Sequence, residues 1–453
     1  MNTQETDKKI VVRFAPSPTG FLHVGSARTA LFNYLFAKKM KGTLVLRIED
    51  TDLERSEKHF EENIIEGLSW LGIEYDSFFR QSERKELYTR HIHSLIESGN
   101  AYISREQAKS GDGSEVEVVR FKNPNKVVTF TDAIRREISF DTTDLEDFVI
   151  AKSITEPLYH LAVVVDDFEM GITHVIRGED GISNTPRQIL IQEALGAPRP
   201  IYAHIPLILG PDRSKLSKRH GAEPITSLRD DGFLPEAVIN HLAFLGWNPG
   251  DEREVMKSDE IIEAFELGGI QKGGAIWNKE KLLWYNSEHI RLLSSTSRYE
   301  RALPFIPSEL RNHKDYSEEK MKKVITVLSE REIKKFSDIP HLYSGKFFSY
   351  FFEAPEYSKK ILTFKEQNSE HTVLHLERVS ELLESVTTSR FNANSVKEAL
   401  WGYATENGRG EVLWPLRVAL TGKEKSPDPF TVAEIIGKQE TLKRISHAIK
   451  IST

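Results

Sequence analysis

The chain has no cysteine among its 453 residues. That excludes a disulfide framework, a Cys-ligated zinc or iron–sulfur centre and a thiol nucleophile. No apolar run approaches the roughly 18 residues that a membrane-spanning helix needs, so no membrane partner is expected. The opening segment MNTQETDKKI lacks both the apolar stretch of a signal peptide and the Arg-rich, acid-poor character of a transit peptide, which makes the cytoplasm the expected compartment. With 27 Gly, 19 Pro, 39% hydrophobic and 28% charged residues, the composition is too poor in punctuating residues for a fibrous or wholly disordered chain. An excess of basic charge is missing as well: 61 Lys and Arg face 68 Asp and Glu, for a net charge of −7. The deficit is uneven, since residues 321–453 hold 20 basic and 17 acidic side chains, a mildly basic third compatible with phosphate contacts.

At about 150 residues per domain the length suggests about three domains. Residues 10–14 (IVVRF) read as a short strand ending in a Pro- and Gly-rich loop, Ala15 to Gly20. Ala27, Ala30, Leu31, Tyr34 and Leu35 then fall on one helical face, with Ser26 placed to cap and Gly42 to stop it. Leu44 to Ile48 is a second strand, so residues 10–48 have the order of a βαβ unit with a parallel sheet. Residues 57–98 read as mainly helical. The polar stretch Ser104 to Glu117 reads as a loop or insertion, with strands at Val116–Phe121 and Val127–Phe130. Tyr159 to Val165 and Thr173 to Ile176 read as buried strands, followed by a helix from Thr185 to Leu195 with Pro186 in its first turn. Beyond about residue 225 the pattern is helical almost throughout. Trp247, Trp277, Trp284, Trp401 and Trp414 read as core side chains rather than base-stacking platforms.

Two loops carry chemistry. Arg13-Phe14-Ala15-Pro16-Ser17-Pro18-Thr19-Gly20-Phe21-Leu22-His23-Val24-Gly25-Ser26 brings His23 from a strand to the start of a helix, where unpaired N–H groups and the dipole attract anions. Gly25 permits close approach to the backbone, and an imidazole there can donate to a phosphate oxygen as charge develops. Alone, the stretch would be a proline-rich turn with an exposed histidine. Ser214-Lys215-Leu216-Ser217-Lys218-Arg219-His220-Gly221 follows a strand and turn at Pro206–Gly210. Its two lysines can meet a departing pyrophosphate as point charges, although alone it would be an ordinary solvated basic loop.

In this order, about 190 residues apart and straddling an insertion, the two loops resemble the HIGH and KMSKS signatures of class I aminoacyl-tRNA synthetases. Arg13 to Gly20, Arg47-Ile48-Glu49-Asp50-Thr51-Asp52, Val164-Val165-Asp166-Asp167, Ile176-Arg177-Gly178-Glu179-Asp180 and Pro415-Leu416-Arg417-Val418-Ala419-Leu420-Thr421-Gly422 resemble the glutamyl-tRNA synthetase family, bacterial type. The likeness runs over nearly the whole chain. The glutaminyl enzymes typically carry a P-P-E-P-N-G stretch where this chain has Ala15 to Gly20.

The resemblance implies an α/β fold: a Rossmann-like parallel-sheet catalytic domain in two halves (1–97 and 158–213), an inserted α+β acceptor-binding domain (98–157), a stem-contact domain with the lysine loop (214–310) and an all-helical anticodon-binding region (311–453). It implies ATP-dependent attachment of L-glutamate to the terminal adenosine of tRNA(Glu) through a glutamyl-adenylate, with AMP and pyrophosphate released. Arg13, Ala15, Ser17, Glu49, Tyr159 and Arg177 would bind glutamate, with Arg13 on the side-chain carboxylate, Glu49 on the ammonium and Arg177 as a further carboxylate partner. A substrate with two carboxylates and one ammonium suits two guanidiniums and one carboxylate, and bidentate Arg pairing would reject neutral glutamine. His23, Gly25, Asp180, Ile208, Lys215 and Lys218 would meet ATP, with His23, Lys215 and Lys218 catalytic. Magnesium would accompany ATP, tRNA would be required for the first step, and no protein nucleophile is needed. The isolated readings of Arg47–Asp52 and Arg177–Asp180 as salt-bridged turns lose ground in this company.

The family's Cys-rich zinc module is absent from ISREQAKSGDGSEVEVVRF, so zinc is not expected and no metal site is assigned to the protein. Leu216 stands where the class pattern has Met. A monomer is expected, and use of tRNA(Gln) beside tRNA(Glu) stays open. Three rivals fare worse. A glutamyl transferase acting on a tRNA nucleoside would lack the C-terminal half. A silent paralogue would have lost His23, Lys218 or the pocket arginines. A non-tRNA adenylyltransferase would leave Pro415–Gly422 unexplained.

Overall fold

The first strand, β1 (Val11–Phe14), feeds a Pro/Gly loop and then α1 (Val24–Lys39), which returns the chain to β2 (Thr43–Ile48), parallel to β1. This is the expected βαβ unit. The structure, a computed structural model, describes residues 9–52, 54–107, 115–216, 223–365 and 368–453. They fall in two compact units, one running to Asn286 and the other beginning at Ser287. Helix α1 starts earlier than its apolar pattern suggests, because the cap is His23 and not Ser26. Its apolar face, Ala27, Ala30, Leu31 and Leu35, is buried against the sheet. Past its end Lys41 takes the left-handed turn at φ 51°, and Gly42 is needed for contact, since a Cβ there would lie 2.5 Å from the Ile10 carbonyl oxygen.

The stretch read as mainly helical holds α2 (Lys58–Trp70) and α3 (Lys85–Glu97), and between them an additional strand, β3 (Ser77–Arg80), parallel to β2. Four residues are too few for alternation to show in the sequence.

The inserted segment is more ordered than its polarity suggests. Ser104 to Glu117 reads from sequence as a loop or insertion, yet Ser104–Gln107 ends β4 (Ala101–Gln107) and Glu115–Glu117 begins β5 (Glu115–Phe121), while residues 108–114 lie outside the described residues. The two strands pair antiparallel. Cross-strand ion pairs Arg105–Glu117 (3.0 Å) and Arg120–Glu106 join the two strands, whose Ala101, Val119 and Phe121 are buried in the core. β8 (Phe148–Ser153) and β9 (Glu156–Pro157) extend this sheet. β6 (Val127–Asp132) and β7 (Arg136–Asp141) form a separate hairpin.

Tyr159 to Val165, expected as a strand, belongs to α4 (Tyr159–Glu169). Every residue from Leu161 to Asp167 is buried, and a helix buried all round carries no 3.6-residue stripe to separate it from a buried strand. α4 leads into β10 (His174–Gly178), and α5 (Thr185–Ala194) joins that to β11 (Ile201–Ile205), parallel to β10. The Thr173 amide donates to the Val11 carbonyl (2.9 Å), which sets β10 beside β1. The layer thus reads β3-β2-β1-β10-β11, with β6 of the inserted hairpin parallel to β11 at Tyr202 and Asp132. Its strand order reverses between β1 and β10, where open parallel sheets leave a crevice at their carboxyl ends.

The remainder of this unit is β12 (Ile208–Leu209), α6 (Ile225–Asp230), α7 (Pro235–Phe244), α8 (Ser258–Ala264), β13 (Ala275–Ile276) and the start of α9 (Lys279–Leu292). The second unit is helical in its described residues, from α10 (Ser295–Ala302) and α11 (Ser308–Arg311) through α12 (Glu318–Ser329), α13 (Asp338–Ser344), α14 (Ser369–Glu384), α15 (Ala393–Glu406), α16 (Arg409–Thr421) and α17 (Pro429–Ile436) to α18 (Lys438–Ser452). The Pro415–Gly422 stretch is the buried second half of α16, ended by Gly422 at φ 67°. The Arg444 guanidinium reaches the Leu420 carbonyl at 2.6 Å and so satisfies one orphan acceptor of that helix end. Trp247 and Trp277 are core as expected, but Trp284 is 37% exposed beneath the Lys281 ammonium. Trp401 is half-buried between Lys397 and Arg409, and Trp414 is half-buried with its N–H on the Ile361 carbonyl.

His241 on α7 packs against Trp277 and Tyr285, and neither ring nitrogen has a partner among the described residues. Burial, helped by the nearby Lys281 charge, pushes its pKa down to about 3. The unfolded chain takes this proton near pH 6.5 and the folded chain refuses it. The stability from neutral His241 is therefore complete above that pH and is lost toward pH 3, at about 1.4 kcal/mol per unit. Urea unfolding of His241→Leu across pH 4 to 7 should show a flatter acid limb than the parent, and an unchanged slope would contradict this account.

Candidate active site

The crevice between β1 and β10 opens into a cavity of about 850 Å³. Its floor is a buried charge network. Arg47, at 0% exposure on β2, donates to Asp167 (2.7 Å) and Glu49 (2.9 Å), and its Nε lies 3.7 Å from Asp166. Arg13 at the end of β1 donates to Asp167 at 3.3 Å. Asp166 is further held by Arg84 (2.7 Å), Tyr88 (2.8 Å) and Gln81 (2.9 Å). Both aspartates sit near the end of α4, so burying that helix brings their carboxylates under the sheet, where only paired charges are tolerated. Burial alone would raise the Asp167 carboxyl, but the guanidiniums of Arg13 and Arg47 outweigh it and hold the group below the ordinary carboxylate value. For Glu49, burial prevails over Arg47 and the shift is upward.

On the other wall Arg177 leaves β10 with its guanidinium fixed on one edge. Nε donates to His204 Nε2 (3.1 Å), and Nη2 donates to Thr185 Oγ1 (2.9 Å) and the Gly181 carbonyl (3.0 Å). Nη1 is buried without a partner among the described residues. Gly181 has to be glycine, because a Cβ there would meet Arg177 Nε at 2.5 Å. Glu179 accepts from the Leu207 amide (2.8 Å) and pairs with Arg135, while Asp180 meets Lys215 at 3.4 Å on the surface.

His23 caps α1 with Nδ1, which accepts from the amides of Gly25 (3.1 Å) and Ser26 (3.4 Å). The cap fixes the tautomer: Nδ1 accepts, so the ring proton resides on Nε2, 3.2 Å from Ser26 Oγ. Gly25 lets the ring fold back, since a Cβ would stand 3.1 Å from it. The helix does not present these N–H groups to an anion, as the sequence had suggested, because the imidazole occupies two of them.

Of the residues singled out from sequence, Arg13, Ala15, His23, Gly25, Glu49, Tyr159, Arg177, Asp180, Ile208 and Lys215 line this one cavity. Ser17 is exposed and is not among its lining residues. Lys218 lies outside the described residues. Asp50 takes a structural role, accepting from the Ser82 amide and hydroxyl, and Asp52 pairs on the surface with Arg55. Sequence reasoning missed Arg28, His204 and Asp132. Arg28 lines the cavity and donates to the carbonyls of Leu245 and Pro206; burial, opposed by Glu179, lowers it to about 10. A charged residue on the apolar face of α1 and a histidine inside the run IYAHI were the signals available.

The fold thus leaves a ligand cleft at the switch point of its parallel sheet, with Arg13, His23 and Arg177 in its lining. Residues 9–110 and 103–284 match the catalytic domain of class I tRNA synthetases (E and Q), and residues 297–449 match an anticodon-binding domain. The chain is 41% identical to the glutamate–tRNA ligase of Aquifex aeolicus, covering 98% of this chain and 99% of that one. It is 40% identical to that of Thermodesulfovibrio yellowstonii over 97% and 99% of the two chains. The crystal structure of a glutamate tRNA ligase from Elizabethkingia meningosepticum in complex with its amino acid superposes with a TM-score of 0.82 at 34% identity, covering 98% of this chain and 100% of the other. The chain belongs to the glutamate–tRNA ligase family.

Removing the Arg47 guanidinium would leave three buried carboxylates short of their common partner. Arg47→Met should destabilise the first unit by about 3–5 kcal/mol in urea unfolding; a loss below 1 kcal/mol would show that the carboxylates relax to other partners.

Proposed function

We propose that this chain is a glutamate–tRNA ligase in which Arg13, Glu49 and Arg177 select the amino acid, His23, Lys215 and Lys218 serve the phosphates, and Asp180 holds Lys215. One observation carries the reading: the cavity lined by Arg13, Glu49 and Arg177 contains a buried guanidinium nitrogen, Nη1 of Arg177, with no partner among the described residues. The surrounding charge points the same way. Of the charged side chains lining the cavity, Arg13, Arg28, Arg177 and Lys215 stand against Glu49, Asp180 and Glu223 and leave one positive charge, and glutamate carries one net negative charge. Glutamine would add nothing to that balance, and its amide N–H₂ would face another donor.

The chemistry follows from these placements. Glutamate's α-carboxylate attacks the α-phosphorus of ATP, forming glutamyl-adenylate and releasing pyrophosphate. Nε2–H of His23 can donate to a phosphate oxygen as charge develops, and the lysines offset charge on the leaving group. Lys215 rests on Asp180 at the surface, a pair that phosphate can displace at little cost. The terminal adenosine's 2′-hydroxyl then attacks the activated carbonyl and AMP leaves. Magnesium would arrive on ATP's phosphates; among the described residues no group of three His, Asp or Glu is arranged to hold a metal alone. We assign residues 98–157 to the acceptor end, 214–310 to the stem and 311–453 to the anticodon, and read the enzyme as a cytoplasmic monomer.

Charging of purified tRNA(Glu) and tRNA(Gln), assayed separately with labelled glutamate, ATP and magnesium, tests the reading. Charging of the first alone defines a discriminating enzyme, charging of both a non-discriminating one, and failure on both overturns the assignment. Lys218→Ala should slow glutamate-dependent pyrophosphate exchange by a factor of about a hundred, corresponding to the few kcal/mol of one charged transition-state contact, with tRNA binding retained. Undiminished exchange would remove Lys218 from the mechanism.

A further inference from the structure

The end of the inserted hairpin touches the machinery of the amino-acid site. Asp132, the last residue of β6, is 1% exposed and uses both carboxylate oxygens fully. Oδ1 accepts from the amides of Ile134 (2.9 Å) and Arg135 (2.7 Å). Oδ2 accepts from the His204 amide (3.1 Å) and from His204 Nδ1 (2.7 Å). A carboxylate engaged in this way can only accept, so Nδ1 of His204 must carry the ring proton. Nε2 is then a lone pair, and it meets the Nε–H of Arg177. The ring is held by its bond to Asp132, and the Tyr202 ring lies parallel to it at 5.9 Å with 7° between planes. The Thr185 hydroxyl, with the Gly181 carbonyl at 3.1 Å and His204 Nε2 at 3.3 Å as acceptors for its proton, accepts from Arg177 Nη2. The direction of the Asp132–His204 bond therefore dictates that of the His204–Arg177 bond, and the guanidinium ends in Nη1, which has no partner among the described residues.

We infer that Asp132 and His204 are positioning residues of the glutamate site: the chain Asp132–His204–Arg177 makes the inserted β6–β7 hairpin set the direction in which the Arg177 guanidinium presents Nη1 to substrate. The inference rests on the assignment of Arg177 to glutamate. It gives the insertion a part in choosing the amino acid, beyond the handling of tRNA expected of it. A second link from the same turn agrees, since Arg135 holds Glu179, whose other oxygen fixes the Leu207 amide at the cavity wall. Burial and the Arg177 charge hold His204 below its ordinary value against the pull of Asp132, which keeps Nε2 an acceptor at neutral pH.

The test compares Asp132→Asn, His204→Leu, His204→Gln and Arg177→Ala in tRNA(Glu) charging, with KM measured separately for glutamate, ATP and tRNA. In Asp132→Asn one of the two donor sets must face an amide N–H₂. In His204→Leu the acceptor is gone, whereas the Gln side-chain carbonyl can replace it. The expected result is a rise of about tenfold or more in KM for glutamate for Asp132→Asn and His204→Leu, KM for ATP and tRNA within twofold, and partial recovery with His204→Gln. A glutamate KM within twofold of the parent in both, while Arg177→Ala raises it, overturns the positioning role alone. Equal rises in all three constants, tracking a lowered Tm, also overturn it. An unchanged glutamate KM in Arg177→Ala overturns the underlying assignment. Should His204→Leu fail to fold, Asp132→Asn and His204→Gln decide by the same criterion.

Discussion

The buried guanidinium of Arg47 is the contact on which the rest of the site is built. It lies under the sheet at 0% exposure and holds Glu49, Asp166 and Asp167 at once. An isolated carboxylate at that depth would protonate or draw in water. With Arg47 present, two aspartates can close α4 onto the sheet, and one of them, Asp167, in turn orients Arg13. Arg47 is on β2 and Glu49 follows just past the end of that strand, where it accepts from the Arg47 guanidinium at 2.9 Å. The charge pairing and the cavity above it, lined by Arg13 and Glu49, are thus parts of the same construction.

The inserted segment is tied to the same parallel layer. Its β6 adds to the β11 edge of the parallel layer, which would otherwise expose unpaired backbone groups. The edge pairing brings Asp132 to His204 and Arg135 to Glu179. Sheet, insertion and cavity wall are held by backbone and side-chain bonds that meet within a few residues of the same turn.

Much of this was legible in the sequence because it rests on local rules. The βαβ order of residues 10–48 follows from periodicity and from Gly and Pro punctuation. Arg13, Glu49 and Arg177 announce themselves as charges at the ends of apolar strand runs. What escaped was set by distance along the chain. Helix α4 reads as a strand because its burial is contributed by α3, α5 and β8 together, and so it shows no polar face. The hairpin pairing of the polar strands β4 and β5 depends on charges that meet only across the ladder. Asp132 and His204 are 72 residues apart, and neither residue alone indicates the other. His23 as the helix cap was missed for a different reason: serine is the commoner cap, and Ser26 stood nearby.

The cap is where folding and chemistry share an atom group. Small oxygen-bearing side chains start helices better than imidazole does, and a serine, asparagine or aspartate at position 23 could take over the two amides that Nδ1 now accepts. None of them would place a proton donor where Nε2 stands. The position is therefore caught between two optima: substitutions that suit the helix abolish the donor, and keeping the donor accepts a weaker helix start. A search for more stable variants of this enzyme, scored on folding alone, would be drawn toward replacing His23 and would discard that proton donor in doing so.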